Sequence, residues 1–95
     1  MFNVNEYFEG NVKSIGFVAS SSPATIGVMA KGEYVFKTST VEYMTVLTGK
    51  MTVLLPGSTE WRDFKPFDTF IVEKNLSFKL RISEDTSYLC LYKPS

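Results

Sequence analysis

The chain contains no histidine and a single cysteine, Cys90. A zinc site built from cysteine and histidine and a Ser-His-Asp triad both need side chains that one copy of this chain does not have. An intrachain disulfide is excluded as well, which fits a reducing compartment. The sequence therefore excludes all three arrangements within one chain.

An excess of charge of one sign is also lacking. Ten basic and ten acidic residues cancel, and Arg62 and Arg81 are the only arginines. Nucleic-acid binding would need clustered lysine and arginine. No stretch approaches the length of about 18 apolar residues that spans a membrane, and the N-terminus has no signal-peptide pattern. We therefore expect a cytoplasmic protein with neither nucleic acid nor a membrane as a partner.

The 95 residues contain many short runs in which apolar and polar residues alternate. Such runs indicate half-buried strands, and no segment of ten or more residues shows a helical period. The sequence predicts a single all-β domain over residues 1–95, an antiparallel β-barrel or jelly roll. Residues 1–8 are expected to form an arm or a short turn that packs on the barrel. The predicted strands cover 12–18, 24–30, 34–38, 41–47, 51–55, 60–64, 69–73, 76–82 and 86–92.

The stretch from Gly32 to Gly49 contains two of these runs and organises the rest of the chain. In the second run Glu42, Met44 and Val46 share one face, which we expect to point into the barrel. Gly49 tolerates the positive φ of a tight turn. The sequence therefore predicts a hairpin that pairs 41–47 with 51–55.

The same stretch resembles the first signature of the cupin family. That signature runs from a glycine over five residues to His-x-His, then three or four residues to a glutamate, and six residues to a glycine. Here Thr38 and Thr40 stand at the histidine positions, before Glu42 and Gly49, and the gap before the glutamate is shorter. The resemblance implies a cupin-like barrel without the metal site.

Seven stretches across the chain resemble the small bacterial pyrimidine/purine nucleoside phosphorylase family. They are NEYF at 5–8, VKSIGF at 12–17, GVM at 27–29, GEY at 32–34, MTV at 44–46, VLLP at 53–56 and TSYLC at 86–90. The resemblance implies a metal-free cupin that cleaves nucleosides with phosphate to a free base and a pentose 1-phosphate. It also implies acceptance of purine and pyrimidine nucleosides, with phosphate as co-substrate and no other cofactor.

Glu42 is the strongest candidate for a catalytic residue. An acidic group that faces apolar neighbours should have a raised pKa, and such groups concentrate at functional sites. Its alternative role is structural, bonded to a backbone amide or a tyrosine. By the cupin alignment Thr38 and Thr40 would lie beside it and bind sugar or phosphate, or serve only as β-branched strand residues.

Five further residues are candidates for substrate binding. Tyr34, Tyr88 and Tyr92 can stack on a base or bond a ribose hydroxyl, or pack in the core. Lys13 and Ser14 can hold phosphate through ammonium and hydroxyl donors. Cys90 is expected to be a small buried hydrophobe, because no histidine is present to activate it.

The sequence leaves two other functions to consider and also predicts an assembly state. A non-enzymatic, metal-free cupin module that binds a sugar or nucleotide is the alternative to the phosphorylase. A sugar isomerase or epimerase usually needs a histidine base, which this chain lacks. Apolar residues expected on the outside, Leu47 and Leu54 among them, predict a homodimer.

Overall fold

The protein folds into two antiparallel β-sheets, which the computed structural model describes for residues 1–94. A 3₁₀ turn at Phe8–Gly10 follows the first strand, and no α-helix occurs in these residues. The all-β prediction is therefore confirmed; Ser95, within the predicted domain 1–95, lies outside the described residues. The strands are β1 (Val4–Tyr7), β2 (Val12–Ala19), β3 (Ser22–Met29), β4 (Gly32–Lys37), β5 (Val41–Thr48), β6 (Met51–Leu54), β7 (Arg62–Phe64), β8 (Thr69–Val72), β9 (Ser77–Ile82) and β10 (Thr86–Lys93).

One sheet has six strands in the order β1-β2-β3-β10-β5-β8, and the other has four in the order β4-β9-β6-β7. Their inner faces enclose an apolar core, because alternate residues of each strand point to the same side. In β9, for example, Phe78 and Leu80 are buried and Lys79 is exposed. The alternation read from the sequence therefore predicts the buried face of this strand correctly.

The predicted hairpin between the second run and residues 51–55 is wrong. β5 pairs with β10 and β8 in the large sheet, whereas β6 pairs with β7 and β9 in the small one. Gly49 does have a positive φ, +83°, but it lies at a corner where the chain crosses between sheets. A Cβ there would meet Thr86 Oγ1 and the Asp85 carbonyl oxygen, so only glycine fits this crossing.

The crossing between sheets separates the outward residues of β5 from those of β6. Leu54 lies on the outer face of the small sheet, whereas Tyr43 and Thr45 lie on the outer face of the large one. The outward residues of β5 and β6 therefore do not form one continuous patch.

The N-terminal arm is itself a strand. β1 pairs with β2 from Val4 opposite Ile15 to Tyr7 opposite Val12. Asn5 lies opposite Ser14, so both side chains share the inner face of the large sheet. No helix in the described part of the chain has the length and apolar character that crossing a membrane requires.

Candidate functional site

A cavity of about 240 Å³ lies between the two sheets. Polar groups line it mainly from the large sheet. The small sheet contributes the rings of Phe36 and Phe78 and, at the end of β4, Lys37. Exposed lining residues, Tyr7, Lys37 and Ser39, mark its open end. The complete lining is Tyr7, Ser14, Met29, Phe36, Lys37, Ser39, Glu42, Met44, Phe78, Tyr88 and Tyr92.

Glu42 is the only acidic residue that lines this cavity in the part of the chain that the structure describes. The alternation of β5 points it inward with Met44 and Val46, as predicted. The Cys90 thiol donates a hydrogen bond to Glu42 Oε1 at 3.5 Å. Burial raises the pKa of Glu42 above its ordinary value, and the bond from Cys90 offsets part of that rise. The carboxyl group is thus a partly buried acceptor that faces the space where a ligand can bind.

Tyr88 reaches across β3 to the neighbourhood of Ser14. It lies opposite Gly27, where an added Cβ would come within 2.5 Å of Tyr88 Cζ. Ser14 is 4% exposed and accepts a hydrogen bond from Asn5 Nδ2 at 3.3 Å. Gly27 therefore provides the space that lets the phenol lie over the sheet, with a hydroxyl group at the cavity wall.

Tyr92 stands opposite Glu42 in the register of β10 and β5. Its hydroxyl shares a hydrogen bond of 2.9 Å with Thr25 Oγ1. Burial raises the pKa values of both Tyr92 and Cys90. Both groups are therefore neutral at physiological pH and available as hydrogen-bond donors, and Cys90 is buried as predicted.

Aromatic rings form the open end of the cavity. Tyr7, which is 47% exposed, meets Phe36 edge to face with ring centroids 6.4 Å apart. Phe8 packs on Phe36 at 5.4 Å and on Tyr34 at 4.9 Å. Phe8 lies in the turn after β1, where Phe8, Glu9 and Gly10 all have positive φ. The N-terminal strand thus supplies part of the site.

Four of the predicted site residues come together in the cavity: Ser14, Glu42, Tyr88 and Tyr92. Lys13 does not, because its side chain alternates with Ser14 and pairs with Glu6 at 3.3 Å on the outer face. Tyr34 is in the core, where its hydroxyl donates to the Ala30 carbonyl at 2.6 Å.

The two threonines at the cupin histidine positions also lie outside the lining. Thr38 is buried, and its hydroxyl donates to the Glu73 carbonyl at 2.6 Å and accepts from the Leu76 amide at 3.1 Å. Thr40 Oγ1 is buried and has no hydrogen-bond partner among the described residues. Thr38 thus fixes the corner between β4 and β5 rather than facing the cavity.

Sequence reasoning missed Tyr7, Lys37 and Ser39. Tyr7 belongs to a segment expected to be only an arm, and Lys37 and Ser39 lie where a strand ends and alternation no longer determines direction. No group of three or more histidine, cysteine, aspartate or glutamate side chains gathers at one place within residues 1–94.

Residues 2–92 match the family model of pyrimidine/purine nucleoside phosphorylase. A protein of that name from Psychromonas ingrahamii is 53% identical over 92 residues, which cover 97% of this chain and 98% of the relative. A crystal structure of a protein of unknown function from Vibrio parahaemolyticus is 40% identical, with a TM-score of 0.94, and the match covers 98% of this chain and 99% of that one.

A cupin superfamily protein from Desulfitobacterium hafniense has the same fold. Its crystal structure matches with a TM-score of 0.74 at 14% identity, over 96% of this chain and 84% of that one. The predicted cupin-like fold is therefore confirmed.

Proposed function

Since the chain belongs to the pyrimidine/purine nucleoside phosphorylase family, we propose that it cleaves nucleosides with phosphate in the cavity around Glu42. The products are a free purine or pyrimidine base and a pentose 1-phosphate. The observation that supports this most directly is a single inward carboxylate among neutral hydroxyl donors in one cavity. Phosphate is the nucleophile, so no protein nucleophile or histidine base is required.

The size of the cavity supports a division of the substrate. Its volume of about 240 Å³ is below the roughly 300–1,000 Å³ typical of small-molecule sites. It can therefore enclose the pentose while the base lies at the open end, against Tyr7 and Phe36. Ring faces contact any base through its π-surface, which suits a broad range of purine and pyrimidine nucleosides.

Glu42 is assigned to the pentose. As a carboxylate it accepts hydrogen bonds from ribose hydroxyls and stabilises positive charge that develops at the anomeric carbon. Tyr88 and Ser14 donate or accept at the wall of the cavity, and Tyr92 is held by Thr25 at the side of Glu42. Positioning phosphate and nucleoside together can lower the barrier by roughly 7–11 kcal/mol when the geometry is good.

Three further properties belong to this proposal. The protein acts in the cytoplasm as a homodimer, without nucleic acid or a membrane as a partner. It needs no cofactor or metal. Glu42 is the one good metal ligand among the described residues of the cavity, and a single ligand does not hold a metal tightly. Dialysis against a chelator is expected to leave the activity unchanged.

The test is incubation of the purified protein with inosine, uridine and their deoxy forms, with and without phosphate, followed by chromatography. Phosphate-dependent release of hypoxanthine and uracil, with one pentose 1-phosphate per base, is expected. Binding of nucleosides without any turnover would instead support the non-enzymatic binding module, and release of base without phosphate would indicate a hydrolase.

A further inference from the structure

We propose that Lys37, with the Ser39 hydroxyl, binds the phosphate co-substrate at the open end of the cavity. This inference rests on the proposed function and assigns a residue to a part of the substrate that the cavity must hold. Phosphate carries one to two negative charges at neutral pH, and charge-assisted donors bind such anions best. Among the described residues 1–94, Lys37 is the only basic one that lines the cavity.

The other basic residues lie elsewhere. Lys13 pairs with Glu6, Lys50 with Asp63, and Lys93 Nζ donates to Ser22 Oγ at 2.8 Å. Both arginines stack on rings of the small sheet or its edge, Arg81 over Trp61 at 4.0 Å and Arg62 over Phe64 at 5.1 Å. Neither they nor the remaining lysines, Lys31, Lys65, Lys74 and Lys79, line the cavity. Among the described residues, Lys37 is therefore the basic residue positioned at the cavity to bind phosphate.

The backbone around Lys37 explains how it comes to the cavity. Along β4 it belongs to the exposed set with Glu33 and Val35, which face away from the core. The strand ends at Lys37 and the chain bends through residues 38–40, which brings Lys37 and Ser39 to the rim.

Hydrogen bonds to the neighbouring turn fix this bend. The Thr38 amide donates to the Leu76 carbonyl at 2.9 Å, and the Asn75 amide donates to the Thr38 carbonyl at 3.0 Å. The Thr38 hydroxyl bonds the Glu73 carbonyl in the same turn. The two polar side chains on either side of Thr38 are thus presented from a rigid corner.

Electrostatics favours phosphate binding at Lys37 over phosphate binding beside Glu42. A phosphate placed against Glu42 would face a like charge, which costs free energy in a partly buried site. With phosphate at Lys37 and the pentose at Glu42, each charge has an opposite partner. A phosphate oxygen forms the bond to the anomeric carbon as the bond from that carbon to the base nitrogen breaks. The electron pair stays on the base, which takes up a proton from phosphate or water.

The test compares Lys37→Gln, Lys37→Arg and the control Lys65→Gln, an exposed lysine outside the cavity. Loss of one charge-assisted bond is expected to raise the KM for phosphate about tenfold or more. The KM for inosine should stay within about twofold. Lys37→Arg should restore most of the phosphate affinity, and Lys65→Gln should match the wild-type protein. Calorimetric titration with inorganic phosphate alone should show binding to the wild-type protein that is lost in Lys37→Gln.

Two results would overturn the assignment: an unchanged KM for phosphate in folded Lys37→Gln, or an equal rise in both KM values. If Lys37→Gln fails to fold, Lys37→Met takes its place. Failure of the proposed function looks different, because wild-type protein would then form no pentose 1-phosphate. In that case the phosphate titration still decides whether Lys37 holds the anion.

Discussion

Burial raises the pKa values of several groups at the cavity, Glu42, Tyr88 and Tyr92 among them. Desolvation raises the pKa of Tyr88 to about 12, and the Ser14 hydroxyl beside it offsets part of the rise. The pKa values of Tyr92 and Cys90 are raised for the same reason. These groups donate hydrogen bonds and do not act as bases at neutral pH. Glu42 is therefore the one lining side chain whose charge can change within the acidic range.

A first prediction concerns the pH dependence of stability at Glu42. Its pKa is raised in the folded protein above the ordinary 4.5, so folding with an ionised Glu42 has a cost that protonation removes. Glu42→Gln removes that charge and keeps the shape. The variant should therefore be at least as stable as the wild-type protein at pH 7, and its advantage should shrink as the pH falls towards 4.5.

Urea unfolding curves of both proteins at several pH values measure this difference. Glu6→Gln is the matched control, since Glu6 is an exposed residue on the outer face. If Glu42→Gln lowers the free energy of unfolding at pH 7 and lowers it less at pH 4.5, the ionised carboxylate stabilises the fold and the prediction is wrong.

At the scale of elements, local pattern predicted the strands and their faces but not their partners. Thr86, Tyr88 and Cys90 share one face of β10, as the alternation indicates, and the structure shows that this face is buried. It could not show that β5 joins β10 across the chain, because pairing depends on long-range contacts that compete with the local turn at Gly49. The same limit applies to β4 and β5, which are neighbours in sequence but belong to different sheets.

The site residues in regular strands were predicted from the sequence, whereas those placed by tertiary contacts were missed. Glu42, Ser14, Tyr88 and Tyr92 lie in regular strands. Alternation predicted that Glu42 points inward, and the side-chain chemistry of the other three made them candidates. Lys37 is at a strand end, and Tyr7 reaches the cavity only because β1 adds to the edge of the large sheet. A residue at a strand end or on an added strand is placed by tertiary packing, which the sequence pattern does not encode.

A prediction for β1 concerns Tyr7. Stacking of a base on an aromatic ring is worth roughly 1–3 kcal/mol where single-stranded nucleic acids bind proteins, so Tyr7→Ala should raise nucleoside KM about fivefold or more. The rise should be similar for inosine and uridine, and Tyr7→Phe should keep most of the affinity. Steady-state kinetics at saturating phosphate measures it.

Glu6→Gln is the control on the same strand, because Glu6 points to the outer face and pairs with Lys13 there. A rise in KM for only one class of base would mean that Tyr7 recognises the base edge. An unchanged nucleoside KM in Tyr7→Ala would show that the base does not bind against Tyr7.

For the molecule as a whole, the outer face of the large sheet exposes several large apolar side chains. Val4, Ile15 and Ile26 are exposed and lie opposite one another across β1, β2 and β3. Val28 and Ile71 extend the exposed apolar surface on the same sheet. Contiguous apolar surface of this kind is typical of interfaces, and a two-fold dimer is the commonest arrangement.

Light scattering at micromolar concentration should therefore give about twice the chain mass of 10.7 kDa. Ile26→Glu should shift the protein towards monomer, because it buries a charge in the proposed interface. Val35→Glu, at an exposed apolar position on the other sheet, should leave the mass unchanged. A monomeric wild-type protein, or dissociation by Val35→Glu instead, would contradict this interface.

The rate of the Glu42→Gln variant decides whether phosphorolysis takes place around Glu42. The substitution keeps the shape of the side chain and removes the charge that stabilises the anomeric centre. Loss of one such electrostatic stabiliser typically lowers kcat about 10²-fold or more. We predict a fall of this size for inosine and uridine alike, with an unchanged circular dichroism spectrum. Phosphorolysis by Glu42→Gln at close to the wild-type rate would show that Glu42 is structural and that the reaction takes place elsewhere.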